Sequence, residues 1–292
     1  MEWLSEKSTL VDGSWRPKGS WHEGNLESNN FTIPKDRFII VRLDGKNFHK
    51  VTKDMDKPYD KEFMGHMEDI TESLVYSPDF RVIAGYTQSD EISLLIDRND
   101  DSFGRKHYKI LSVLAGHASG YLSRAMGRAV IMDARVFWNS GYPHVFEYFW
   151  SRVNDCYRNF VNASMYWKLR ESMNGTKASK TAEGMNMETM KTMLKDIFQE
   201  DIDERPGREQ FGSLYIWKTY MKDGYNPKAN KPVRVERRIV EKVDLISREH
   251  LINRLDVVMH IHHVEKGKCI ACTYQVPYCD YCRNSHTKGE FE

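Results

Sequence analysis

The sequence predicts an α+β fold of two layers, an antiparallel sheet backed by helices. Two observations predict it. Short apolar runs of strand length alternate with longer stretches of helical period in the order strand, helix, strand pair, helix, strand, which is a split βαβ layout. A 292-residue chain with 40% hydrophobic and 29% charged residues also has material for an ordinary buried core, which excludes a disordered, collagen-like or disulfide-dense chain.

The elements follow in chain order. Residues 1–34 mix Ser, Gly, Asn and charges without a sustained period and read as an extended arm, with Trp3, Trp15 and Trp21 as anchors. Residues 38–43 are an apolar run closed by Asp-Gly, a buried strand and its turn. Asp60 is placed to cap a helix to Val75, with Phe63, Met67, Ile70 and Leu74 at helical spacing, and Pro78 breaks it. Residues 81–84 and 92–96 read as strands around the polar link Gln88-Ser-Asp90. Residues 102–126 read as one helix and 129–137 as a strand. Pro143 suits the first turn of an aromatic-rich helix to Leu169, and Trp138, Trp150 and Trp167 read as core. A shorter helix over 187–199 precedes strands at 213–220 and 233–240. The organisation expected is an arm (1–34), a catalytic sheet domain (35–140), a helical half (141–225), and a basic segment with a cysteine tail (226–292).

Charge narrows the partners. Lys and Arg number 43 against 42 Asp and Glu, so a nucleic-acid site must come from local separation of charge. Lys228, Lys231, Arg234, Arg237, Arg238 and Lys242 face only Glu236 and Glu241 in their segment; with Arg105, Lys106, Arg124 and Arg128 they are the candidate RNA contacts. No apolar run reaches the length of a spanning helix and the start lacks the apolar core of a signal peptide, so no membrane is expected and the cytoplasm is the expected compartment.

Two acidic positions stand at strand ends. Asp44 closes the first strand, and Asp90-Glu91 opens the third; in a split βαβ sheet these strands lie side by side. Their carboxylates suit the pair of divalent cations used in two-metal phosphoryl transfer. Strand alternation sends Asp90 and Glu91 to opposite sides, so Asp44 pairs with Asp90 and Glu91 supports them. Gly45 lets backbone approach a metal or phosphate, and the amides of Lys46, Asn47, Phe48 and His49 form a turn-like nest for a triphosphate. Lys46 and Lys57 add positive charge. Each signal alone is ordinary, since Asp-Gly after a strand is usually a turn and Asp-Glu at a hairpin is usually solvated. Cys156 reads as a small buried residue, not a nucleophile.

Their combination is specific. Arg42-Leu-Asp-Gly-Lys-Asn-Phe-His49, Lys57-Pro-Tyr-Asp60 and Gln88-Ser-Asp-Glu91, in this order and spacing, resemble the tRNA-histidine guanylyltransferase family and its Thg1-like relatives. Tyr142-Pro143, Arg152, Asp155-Cys156, Asn159 and Trp167 fit the same family's helical half. The resemblance implies a polymerase-like palm of ferredoxin-like build that adds nucleotides, usually G, to the 5′ end of tRNA. A nucleoside triphosphate activates the 5′ monophosphate, and the 3′ hydroxyl of an incoming nucleotide then attacks it. ATP and GTP are the implied nucleotides and a homo-tetramer the implied assembly. Carried over by motif, Asp44, the Gly45 carbonyl and Asp90 hold two Mg²⁺, while Lys46 to His49, Lys57, Ser89 and Asp90 contact nucleotide.

The chain departs from this pattern at Thr87, where a glycine is usual, at Tyr157, where eukaryotic members carry a histidine, and at Gln210-Phe211-Gly212, where an Arg-Lys-Gly is usual. The last two favour a template-guided 5′-end repair enzyme over strict histidine-tRNA guanylylation. A palm enzyme that joins free nucleotides and an inactive RNA-binding module are the competing readings. Outside the resemblance, Cys269-x2-Cys272-x6-Cys279-x2-Cys282 presents four thiolates as a tetrahedral site for a structural Zn²⁺. His260, His262, His263 and His286 lie close in sequence but are not needed to complete that shell.

Overall fold

Six antiparallel strands form the central sheet of the computed structural model, in the order β6-β3-β5-β4-β7-β8. They are β3 (Phe38–Gly45), β4 (Val82–Gln88), β5 (Glu91–Ile96), β6 (Met132–Asn139), β7 (Ser213–Asn226) and β8 (Lys231–Asp244). The structure describes the backbone of residues 8–11, 14–17, 31–139 and 141–264, and the side chains of 31–139 and 141–259. Strands β3 to β6 interleave as two split βαβ units, the layout expected from the sequence. The residues read as an arm include a hairpin, β1 (Ser8–Val11) paired with β2 (Ser14–Pro17).

Alternation along each strand sorts the core. Ile39, Val41 and Leu43 face one side with Ile92, Leu94 and Ile96, and helices α2 (Lys61–Val75) and α3 (His107–Ala125) cover them through Met67, Ile70, Leu74, Ile110, Leu114 and Leu122. Asp60 caps α2 as expected, its Oδ1 accepting from the Phe63 amide at 2.8 Å. The single helix expected over 102–126 is broken. Phe103 and Gly104 take positive φ (51° and 61°), giving a short 3₁₀ turn before α3 begins at His107. The following strand starts at Met132, three residues later than the pattern suggested.

Phe38 and Ile40 face the other side with Ile83, Tyr86, Leu95, Leu214 and Ile216. Two helices cover them: α4 (Tyr142–Arg170), through Val145, Phe149 and Val153, and the last helix, Arg248–Val264, through Leu251, Leu255, Val258 and Met259. The sheet is therefore covered on both faces, which corrects the two-layer expectation. This last helix has no counterpart among the elements expected from the sequence, although its apolar stripe has helical spacing. The second half of α4 runs past the sheet and packs Phe160, Val161, Met165 and Leu169 against α5 (Gly175–Ala182) and α6 (Met187–Asp196) in a third cluster. Trp138 and Trp150, read as core, are 40% and 38% exposed. Trp138 lies on the edge strand β6, opposite Ile39, and Trp150 lies on α4 beside Phe149, which fills the inner face of that helix.

No helix among the described residues is long and apolar enough to cross a membrane. Cys269, Cys272, Cys279 and Cys282, with His286, fall outside the described residues, as do the side chains of His260, His262 and His263.

Candidate active site

Asp44 and Glu91 are Cα partners in the β3–β5 ladder, and Asp133 of β6 is the partner of Asp44 on its other side. Directly opposed residues share a face, so all three carboxylates belong to the α4 face of the sheet. Asp90 lies outside the ladder. It shares a two-residue turn with Ser89, which takes a φ of 48°, and the Asp90 carbonyl accepts from the Gly45 amide at 3.1 Å. That bond ties the β4–β5 turn to the end of β3 and sets Asp90 beside Asp44.

The carboxylates are treated differently. Glu91 is held by Arg152 of α4 at 3.2 Å and by Arg42 at 3.8 Å. Asp44 and Asp90 form no ion pair with any described residue; Asp90 accepts only from the Ser89 hydroxyl, at 3.1 Å, among side chains. Burial pushes the Asp90 carboxyl above its ordinary value, and the Asp44 charge adds to the rise. Burial raises Glu91 too, against the pull of Arg152 and Arg42. A pair of hard, uncompensated oxygen donors is the chemistry that suits Mg²⁺, which takes one or two carboxylates and completes its shell with water and phosphate. Glu91 Oε1 is also buried without a partner beside them. Among the described residues no three acidic, His or Cys side chains converge as a full ligand set.

The turn after Asp44 departs from the expected nest. The Lys46 amide donates to the Ile131 carbonyl at 2.9 Å and is not free for phosphate. Asn47 takes left-handed φ and ψ (57° and 34°) and starts a one-turn helix, α1 (Phe48–Val51), leaving the Asn47, Phe48 and His49 amides as the remaining donors. Gly45 is needed for a reason the sequence did not give. A Cβ there would lie 2.2 Å from Cδ2 of Phe48, whose buried ring covers the glycine and packs on Phe63 at 5.8 Å.

Beside the carboxylates, a cavity of about 180 Å³ opens between the 52–60 loop, the Ser89 turn and α4. Lys57, Ser89 and Asn159 line it, which brings together residues far apart in the chain. Lys57 precedes a cis proline and donates to the Thr52 carbonyl at 2.5 Å. Cys156 also lines the cavity, and burial pushes its thiol up to about 12, so it is no thiolate nucleophile. Arg208 and Glu209, which no sequence pattern marked, complete the wall from α7 (Gly207–Phe211).

The expected RNA contacts divide. Arg105 is 3% exposed and donates to the carbonyls of Ile33, Arg98, Asp100 and Arg37, so it is a structural clamp and not a surface cation. Arg128 is tied to the Val51 carbonyl. In the hairpin of β7 and β8, Lys242 binds Glu68 at 2.7 Å, Arg238 covers Trp217 at 4.9 Å and Arg234 meets Asp223 at 3.6 Å. Lys222, Lys228, Lys231 and Arg237 form no ion pair with a described residue. Two departures from the family pattern, Tyr157 and Phe211, meet face to face with ring centroids 5.6 Å apart and planes at 6°. Arg248 lies over the Tyr157 ring at 5.5 Å.

Comparison with known proteins agrees with the motifs. A family model described as tRNAHis guanylyltransferase matches residues 23–153. The tRNA(His) guanylyltransferase of Debaryomyces hansenii is 27% identical over 230 residues, spanning 73% of this chain and 86% of that protein. A probable tRNA(His) guanylyltransferase of Drosophila melanogaster is 22% identical over 266 residues, 87% of this chain and 86% of its own. Among solved structures, a bacterial Thg1-like protein in complex with ATP superposes with a TM-score of 0.62 at 21% identity, covering 79% of this chain and 95% of that one.

Proposed function

We propose, since this chain belongs to the Thg1 tRNA-histidine guanylyltransferase family, that it is a nucleotidyltransferase adding a nucleotide, typically G, to the 5′ end of tRNA. The observation that carries the reading is the meeting of Asp44 and Asp90, with no ion pair to any described residue, beside a cavity lined by Lys57 and Ser89. The β6-β3-β5-β4 order supports a ferredoxin-like palm as the scaffold.

Two steps share one centre. In the first, an oxygen of the tRNA 5′ monophosphate attacks the α-phosphorus of ATP or GTP and pyrophosphate leaves. In the second, the 3′ hydroxyl of the incoming GTP attacks that activated 5′ phosphorus and the nucleoside monophosphate leaves. Asp44, the Gly45 carbonyl and Asp90 would hold two Mg²⁺, whose chemistry there would be to offset phosphate charge. Lys57 and Ser89 bind and orient the triphosphate, together with the Lys46 side chain and the amides of Asn47, Phe48 and His49. Glu91 supports the pair: with Arg152 and Arg42 it anchors the end of β5 to α4, so that the Asp90 turn keeps its place. Activity assembles as a homo-tetramer in this reading.

Template-guided repair is favoured over strict histidine-tRNA guanylylation. Tyr157 and Phe211 replace a histidine and a basic residue of the family pattern, and their mutual stacking supports a changed contact with RNA at that place. The four C-terminal cysteines would bind a structural Zn²⁺, which elemental analysis of protein purified without chelator tests directly.

The test uses purified chain, Mg²⁺, ATP, GTP and tRNAs shortened at the 5′ end. Templated extension of several tRNAs is expected, and Asp44→Ala and Asp90→Ala should each abolish it while keeping the fold. Extension of histidine tRNA alone would reverse the repair reading. Undiminished extension by either variant would overturn the site, and dinucleotides formed from GTP without RNA would replace the function.

A further inference from the structure

The cavity beside the carboxylates holds an acid that its ligand, a polyanion, gives no reason to expect. Glu209 of α7 lines it and is 6% exposed. Its Oε2 accepts from Arg205 Nε at 2.7 Å and Nη2 at 2.6 Å, which pins the carboxylate, while Oε1 accepts from no described residue. Burial pushes the Tyr59 hydroxyl, on the same cavity, far above its ordinary value, and the nearby Cys156 and Glu209 add to the rise. The Glu209 charge is therefore felt inside the cavity. Arg208, the neighbouring cation of that wall, leans to Glu68 instead, at 3.6 Å, and forms no pair with Glu209.

A carboxylate inside a triphosphate site is unfavourable unless it meets hydrogen-bond donors. Ionised, it only accepts, so it cannot serve the phosphates and belongs to the base. Guanine offers two donors side by side, N1–H and the N2 amine. Adenine offers at the same edge an acceptor, N1, and a C–H. A site built to receive donors rejects by a large factor the analogue that lacks them.

We propose that Glu209 selects guanine over adenine for the triphosphate held beside Ser89, so that GTP is the preferred nucleotide there even for activating the 5′ phosphate. Arg205 is the positioning residue that fixes the carboxylate. The wall is this chain's own, since α7 carries the stretch where Gln210 and Phe211 stand in place of the family's basic pair. The inference rests on the nucleotidyltransferase reading and names the base that its triphosphate site takes.

The experiment measures equilibrium binding of GTP, ITP and ATP, each with Mg²⁺, to the full chain and to Glu209→Gln and Arg205→Lys. ITP lacks only the N2 amine of GTP. The natural chain should bind GTP more tightly than ATP by on the order of tenfold, the effect of hydrogen bonds to a charged group, with ITP between them. Glu209→Gln should bring GTP and ATP within about threefold of each other, by weakening GTP. Its amide can donate to adenine N1, so ATP binding is kept and reports an intact fold. Arg205→Lys keeps the charge but loses the two-nitrogen grip, and should narrow the ratio by a smaller factor. Equal affinity for GTP and ATP in the natural chain overturns the proposal. So does an unchanged ratio in Glu209→Gln, including an equal loss of both nucleotides, which would make Glu209 a support of the wall only. Failure of the underlying reading shows separately, as absence of any 5′ addition by the unaltered chain.

Discussion

Asp44 and Glu91 oppose each other in the β3–β5 ladder, yet only Glu91 has its charge balanced, by Arg152 at 3.2 Å. The difference comes from helix α4. Arg152 reaches the sheet from the helical turn after Phe149 and is fixed there by Asp155 at 2.7 Å, while its carbonyl accepts from Gln88 at 3.2 Å. Among the described residues no basic side chain is placed likewise over Asp44 or Asp90. The fold thus leaves two carboxylates available to a cation and ties the third to a structural partner.

Asp90→Asn should stabilise the protein while ending its activity. The Asp90 carboxyl is raised by burial and by Asp44, so the native state holds this proton at a pH where the unfolded chain has lost it. Stability therefore falls as pH rises from the unfolded value through the folded one. Removing that charge should raise Tm by roughly 2–4 °C in buffer with EDTA. Mg²⁺ should raise the Tm of the natural chain and not that of the variant. An unchanged or lower Tm in EDTA would refute the unbalanced charge.

Arg152→Met should be costly because it leaves Glu91, whose side chain is 14% exposed, with only the longer contact to Arg42 at 3.8 Å. Breaking one partner of such a pair costs about 2–4 kcal/mol. Adding Glu91→Gln should recover most of it, since an amide tolerates the site without a counter-ion. Urea unfolding at neutral pH measures both. A loss in the single variant below about 1 kcal/mol, or no recovery in the double, would count against the pair as the anchor of the β5 end.

Gly45→Ala tests why the glycine is there. The added methyl would overlap the Phe48 ring, 2.2 Å from Cδ2, and that ring is 4% exposed and cannot swing into solvent freely. Overpacking of this kind costs about 1–3 kcal/mol. Because the ring carries the turn of residues 46–49, KM for GTP should rise along with the loss of stability. Normal stability with an altered KM would point instead to close approach of the nucleotide to the backbone.

These residues also mark how far the sequence could be read. Asp60, the apolar run of β3 and the Ser89-Asp90 turn are local signals, and each folds as its pattern suggests. The structure gives Gly45 a reason of its own, a ring three residues away, which no spacing rule contains. Arg105 reads as a solvated cation because sequence cannot show four carbonyls from distant turns folding over it. The Lys46 amide was lost to Ile131 in the same way, through a strand that neighbours β3 only in space. The helix Arg248–Val264 was legible in principle from Leu251, Leu255, Val258 and Met259.

The hairpin of β7 and β8 gives the sharpest test of RNA binding, because its cations fall into two groups. Lys242 is held by Glu68 and contributes to the packing of α2 on the sheet edge. Lys228, Lys231 and Arg237 form no ion pair with a described residue and stand on the outer part of the hairpin, where β7 and β8 pair with each other. A phosphate contact releases counter-ions and steepens the fall of affinity with salt by close to one unit of slope per contact. Replacing these three with Ala should therefore weaken tRNA binding, make the slope of log K against log salt shallower by about 2–3, and leave kcat at saturating tRNA unchanged. Lys242→Ala should do the reverse, lowering stability while keeping the slope. If the triple variant keeps the full slope, the hairpin does not track the RNA backbone and its charge serves only solubility.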